Sequence, residues 1–237
     1  NVVYFETNNA GFTMYPSKMA LQNPETLGWD PLGTGLKEAR KRNMEFHAWL
    51  NPYRIGNVSA VLASSHVAVK NPSWVIEYNG VRYFNPGLPE VRAHLVAVVK
   101  DIITRYDVDA IHFDDYFYPS GAKSTTNPFG FDDKVAFEKY GAGKDVHTWR
   151  ADNVNLMVAE VSRVIKANKP GVLFGISPSG RRENSIDLYA DPFVWLDNKW
   201  VDYLAPQIYW EFGHAVADFG KQANFWNDNA RGVPMVV

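Results

Sequence analysis

The chain has 237 residues with 24 Lys+Arg against 26 Asp+Glu, a formal net charge of −2, and that balance excludes recruitment to nucleic acid or an anionic membrane by bulk charge. Its 46% hydrophobic and 21% charged residues exclude a disordered chain, and no apolar run reaches membrane-spanning length. With no cysteine, disulfides, thiolate metal centres and cysteine nucleophiles are excluded together.

Residues 2–5 read as a first apolar strand, followed by a Gly/Asn/Pro-rich stretch. Asp30-Pro31 supplies a helix N-cap and a proline at the first helical position, with Leu32, Leu36 and Ala39 on one face of the helix that follows. Residues 44–50 form a second strand-like run. A long polar connection then holds a predicted hairpin, 74–78 and 81–84, around the turn dipeptide Asn79-Gly80. Pro89 opens a helix with Val91, Leu95, Val98, Val99, Ile102 and Ile103 at helical spacing. A third run spans 108–113, and a loop leads to a helix carrying Val154, Met157, Val158, Val161, Val164 and Ile165. The fourth run is 172–176. Asp191-Pro192 caps a short helix, 201–209 is the fifth run, a helix is expected near 216–226, and 233–237 is the sixth run. Arg181-Arg182-Glu183 reads as a solvated loop, and His66, His94, His147 and His214 as surface or loop residues.

Six apolar runs separated by helices imply a parallel sheet covered by helices. A doubly wound sheet and a TIM-type (β/α)8 barrel both fit. The lack of a glycine-rich phosphate loop after the first run weakens the nucleotide-binding version. In a barrel the chemistry sits just after the strands. The polar residues do gather there: Glu6, Asn8 and Asn9; Asn51, Tyr53 and Arg54; Asp114, Asp115 and Tyr116; Ser177 and Ser179; Gln207, Tyr209, Trp210 and Glu211. Asp107, Asp109 and Asp202 precede their strands and belong to the stability face. Alternation along the runs places Tyr4 and Glu6, His47, Trp49 and Asn51, and His112 and Asp114 on the lumen side. His47 and His112 read as hydrogen-bonding supports.

An adjacent Asp-Asp at a strand end suits glycoside hydrolysis, where one carboxylate supports the anomeric carbon and a second acid protonates the leaving oxygen. It equally suits metal-assisted hydrolysis, such as a metal-dependent polysaccharide deacetylase with His112, Asp114 and Asp115 as ligands. Aromatics make up 14% of the chain, enough to line a sugar site as well as a core, so a non-catalytic carbohydrate-binding barrel is a third reading.

The blocks around His47-Ala48-Trp49-Leu50-Asn51-Pro52-Tyr53-Arg54, Asn85-Pro86-Gly87-Leu88-Pro89-Glu90-Val91-Arg92, Ile111-His112-Phe113-Asp114-Asp115-Tyr116-Phe117-Tyr118-Pro119, Gly175-Ile176-Ser177-Pro178 and Pro206-Gln207-Ile208-Tyr209-Trp210 resemble, in order, the bacterial glycosyl-hydrolase-like 10 family. The resemblance implies a TIM-type barrel of which this chain holds about strands two to seven, as one domain truncated at both ends. It further implies a glycosidase acting on peptide-free peptidoglycan glycan strands, in the bacterial cell envelope or secreted, often as a lipoprotein. No cofactor and no metal are expected; the expected partner is a polysaccharide, with no nucleic acid.

Asp114 is then the expected principal carboxylate, with Glu211, Glu6 and Asp115 as candidate acids. Asn51, Tyr53, Arg54, Trp49, His112, Tyr116, Ser177, Gln207, Tyr209 and Trp210 are the expected substrate contacts. Residues 6–9 and Phe12 depart from the family pattern, which has a Gln-Val-Arg-Pro-like stretch and a commonly acidic residue there.

Overall fold

The computed structural model describes residues 1–123 and 126–236. Strand β1 (Val2–Asn9) is followed by the two-residue strands β2 (Phe12–Thr13) and β3 (Leu21–Gln22) and by α1 (Pro31–Arg40). After β4 (Glu45–Leu50) come β5 (Arg54–Asn57), the short α2 (Val67–Lys70), and a hairpin of β6 (Val75–Tyr78) and β7 (Val81–Phe84). The chain continues through α3 (Pro89–Arg105), β8 (Ala110–Phe113), α4 (Lys134–Tyr140), α5 (Val146–Asn168), β9 (Leu173–Ile176), α6 (Arg182–Asp187), α7 (Pro192–Asp197), β10 (Tyr203–Leu204) and α8 (Phe219–Asp228).

The large sheet has the order β10-β9-β8-β4-β1-β2-β3, and β5-β7-β6 form a separate three-stranded sheet. Strands β1, β4, β8, β9 and β10 are parallel, each bonded to the next parallel strand in the chain. A further parallel bridge joins Leu204 to Met235. A doubly wound sheet requires a reversal of strand order; uninterrupted chain order is the barrel's connectivity. The fold is therefore a partial α/β barrel. The run at 201–209 shrinks to two residues of strand, and the run at 233–237 to the bridge at Met235, with Val237 outside the described residues.

Sequence chemistry accounts for the helix boundaries. The Asp30 side chain accepts from the Gly33 N–H at 2.9 Å, and Asp191 from Phe193. The last helix starts at Phe219 rather than near 216 because Asp218 caps it, accepting from the Lys221 N–H at 2.9 Å. The predicted faces of α3 and α5 are the buried ones, and these two helices pack together. Asn79 and Gly80, at φ 46° and 74°, make the hairpin turn.

At the opposite end of the sheet, acids hold strand starts together. Asp109 accepts from the Phe46 N–H and from Arg40, and Asp202 accepts from the Phe174 N–H. Two expectations are corrected here. Arg182 opens α6 and forms a bidentate pair with Asp191 across the ring of Phe193, so 181–183 is not a solvated loop. His66 is fully buried; it caps α2 and lies 2.9 Å from the Ala10 carbonyl.

Candidate active site

Side-chain alternation along the parallel strands divides the sheet into two faces. Phe5 and Phe46 face α1, where both rings crowd Gly35. Tyr4, His47, His112 and Tyr203 face the other way and meet in the lumen: the Tyr4 ring stands 5.0 Å from His47 and 4.8 Å from His112. The Tyr203 hydroxyl lies 2.8 Å from Nδ1 of both His47 and His112, and His112 Nε2 lies 2.6 Å from the Ser177 hydroxyl. Gly175 permits this, because a β-carbon there would fall inside the Tyr203 ring.

Burial lowers both imidazoles, and His47 adds to the effect on His112, which is pushed down to about 3. Both rings are neutral at physiological pH. A single phenolic proton can donate to only one of them, so the other donates to Tyr203 from its own Nδ1.

Above this layer lies a cleft of about 610 Å³. Its lining includes Tyr4, Trp49, His112, Asp114, Tyr116, Ser177, Gln207, Tyr209 and Phe219. Asp114 follows β8, with its backbone N–H bonded to Leu50 of β4. The Gln207 amide sits 3.2 Å from Asp114 Oδ1 and donates to the Ser177 carbonyl at 2.9 Å, so one side chain ties two strand ends to the carboxylate. The same Oδ1 accepts from the Asp115 N–H at 2.8 Å. Burial, then the Asp114 charge beside it, pushes the Asp115 carboxyl up to about 7. Asp115 therefore still carries its proton near neutrality.

Glu6 ends the lumen face of β1, in register with Trp49. Burial raises its carboxyl above the ordinary range against the Asn9 amide that bonds it at 2.8 Å, and Asp114 raises it further. β4 lies between β1 and β8, so Glu6 and Asp114 stand two strand spacings apart, roughly 10 Å between backbones. Their side chains point into the same lumen.

The remaining candidates divide clearly. Asn51 is buried one residue past β4, with Oδ1 unpartnered. Tyr116 and Tyr209 are exposed rings at the rim, and Arg54 lies over the Tyr116 ring. The structure does not bring Tyr53, Trp210 or Glu211 into the cleft. Tyr53 is completely buried beside Phe117, because the chain turns into the core at Pro52 and strand alternation no longer applies. Trp210 packs on Gly180, where a β-carbon would come within 2.7 Å of its Cζ3. Glu211 is exposed on the following loop.

His112 has Tyr203 and Ser177 on its two nitrogens and so does not join Asp114 and Asp115 as a ligand set. No group of three or more potential metal ligands comes together among the described residues. The sequence reading missed Tyr203 and Phe219. Nothing in the apolar run marked Tyr203; its place opposite Gly175 comes from the strand register.

Acidic groups and rings gather at the carboxyl ends of the parallel strands, over a floor of neutral imidazoles, where an α/β barrel carries its chemistry. The chain belongs to the glycosyl hydrolase-like 10 family, whose model matches residues 1–237. It is 39% identical over 229 residues to glycosyl hydrolase YngK of Bacillus subtilis (strain 168), covering 88% of this chain and 44% of that protein. It is 35% identical over 263 residues to glycosyl hydrolase DigH of Escherichia coli (strain K12), covering 96% and 58%. The chain thus spans about half the length of these curated relatives.

Among solved structures, a Group IV chitinase of Ostrinia furnacalis in complex with allosamidin superposes with a TM-score of 0.54 at 13% identity, covering 100% of this chain and 56% of that one. The spore cortex-lytic enzyme SleL of Bacillus megaterium QM B1551 gives 0.52 at 12% identity, covering 99% and 48%. These two likenesses concern the fold. Among the described residues no helix is long and apolar enough to cross a membrane.

Proposed function

We propose that the protein hydrolyses glycosidic bonds of an amino-sugar polysaccharide, with peptide-free peptidoglycan glycan as substrate, at the bacterial cell envelope. The observation that carries this reading is the acid group itself: Asp114 beside Asp115, whose carboxyl is pushed up to about 7, and Glu6, whose carboxyl burial raises above its ordinary value. Glycosidases need an ionised carboxylate and a protonated acid flanking one bond, roughly 5–9.5 Å apart. Asp114 and Asp115 touch each other and are too close to flank a sugar bond, whereas Glu6 stands across from them. Asp114, fixed by Gln207, is the carboxylate that attacks or stabilises the oxocarbenium-like transition state. Glu6 is the proton donor, and Asp115 stands protonated beside Asp114. Trp49 and Tyr209 offer faces for sugar rings, and the buried Asn51 Oδ1 is an acceptor suited to an acetamido N–H. The bacterial glycosyl hydrolases it matches support hydrolysis of a glycosidic bond.

The test is reducing-end release from peptide-free glycan. Asp114→Asn abolishes it, and Glu211→Gln leaves it intact. Glu6→Gln loses turnover of the glycan but retains it on a glycoside whose leaving group needs no protonation. Equal release by wild type and Asp114→Asn, with glycan still bound, makes the chain a binding barrel instead.

A further inference from the structure

Ten of the eleven arginines form an ion pair with a carboxylate among the described residues; Arg54 alone does not. It is not remote from acids. Its guanidinium lies over the Tyr116 ring, 5.8 Å from the centroid, and Tyr116 lines the cleft together with Asp114. Its other neighbour is the phenol of Tyr83, its partner across β5 and β7. Both neighbours are neutral. A half-buried cation thus sits one ring away from a cleft lined by Asp114 and pairs with no carboxylate among the described residues.

Stacking on a ring leaves the in-plane N–H groups of a guanidinium directed outward, in the fork that matches a carboxylate. The lining of the cleft contains no lysine or arginine, and its carboxylate, Asp114, would repel a negatively charged substituent. A substrate carboxylate finds an unpaired cation beyond Tyr116, where Arg54 is. We infer that Arg54, held by Tyr116 and Tyr83, is a carboxylate-binding subsite that makes the cleft selective for an acidic glycan over a neutral amino-sugar polymer. This rests on the glycan reading above and fixes its substrate class. It also fixes a register: the charged substituent lies outside the acid cluster while a neighbouring sugar linkage lies over Asp114.

The experiment compares two forms of the same peptide-free peptidoglycan glycan fragment, one with native carboxylates and one with the carboxyls reduced to alcohols. Binding is titrated by calorimetry in an Asp114→Asn background, so that no cleavage intervenes, for Arg54, Arg54→Lys and Arg54→Gln. The expected result is about tenfold tighter binding of the carboxylate form, on the scale of one charged hydrogen-bonded contact. Arg54→Gln removes the difference between the two forms and Arg54→Lys keeps part of it, with thermal unfolding midpoints unchanged. Indifference to carboxyl reduction, a preference that survives Arg54→Gln, or no binding of either form overturns the inference. Failure of the hydrolase reading shows separately, as absent reducing-end release by the Asp114 protein.

Discussion

Replacing Arg150 by methionine tests how the loop that begins at the acid pair is held. Arg150 of α5 is completely buried and makes five hydrogen bonds. Two go to Asp133 at 2.8 and 2.6 Å, one to the Ala122 carbonyl at 2.9 Å, one to the Tyr189 hydroxyl at 3.0 Å and one to the Phe131 carbonyl at 3.2 Å. Burial opposes the charge of the guanidinium, and Asp133 more than offsets it, so Arg150 is held protonated more firmly than usual. Methionine fills similar volume but strands a buried carboxylate, at about 3–5 kcal/mol, while the Ala122 and Phe131 carbonyls keep the Tyr189 hydroxyl and the Asp133 N–H as donors. The expected loss is about 3–5 kcal/mol, read as a lowered urea midpoint.

The pH dependence of that loss has a definite sign. Burial already raises Asp133 above its unfolded value of about 4, and losing Arg150 raises it further, so the added penalty is fully present at neutral pH and shrinks as pH falls. The deficit therefore narrows between pH 7.5 and 5. Arg150→Met combined with Asp133→Leu removes the stranded charge and unfolds at higher urea than Arg150→Met alone. A single-variant cost below about 1 kcal/mol, or a double variant no better than the sum of its parts, would refute the reasoning.

Two further outcomes follow from the lumen. Gly175→Ala drives a β-carbon into the Tyr203 ring and costs about 3 kcal/mol, whereas in a Tyr203→Ala background the same change costs far less; equal costs in the two backgrounds would remove that contact as the cause. Asp115 is raised in the folded state to about 7, so the unfolded chain gives up this proton first and stability falls as pH rises from about 4 to 7. Asp115→Asn cannot ionise, so its thermal midpoint gains on the wild type across that interval, and a constant gap between the two would contradict the shift.

Much of this was legible from sequence because a strand's alternation survives into the fold. Tyr4, His47, His112 and Asp114 share a face as the pattern requires, and proline and aspartate marked the helix starts at 31 and 192. Legibility stopped where regular backbone stopped. Tyr53 lies three residues past β4, and nothing in its block says that its ring turns inward. The two-residue strands β2 and β3 are too short for any period, and α6 has too few turns to show one. Tyr203 was hidden for another reason: an aromatic in an apolar run reads as core, and only the neighbouring glycine shows that its hydroxyl reaches two imidazoles.

The adjacency of successive parallel strands has a kinetic consequence. As the chain is synthesised, β4 finds β1 already present, β8 finds β4, and β9 finds β8, so each pairing adds to a standing edge rather than closing a distant loop. Alignment is inherited in the same sequence. A slip of one residue between β1 and β4 would turn Glu6 away from the lumen and pass on to every later strand. The first pairing formed, Val2 through Asn8 against β4, thus fixes where the acids of a strand some sixty residues further on come to rest.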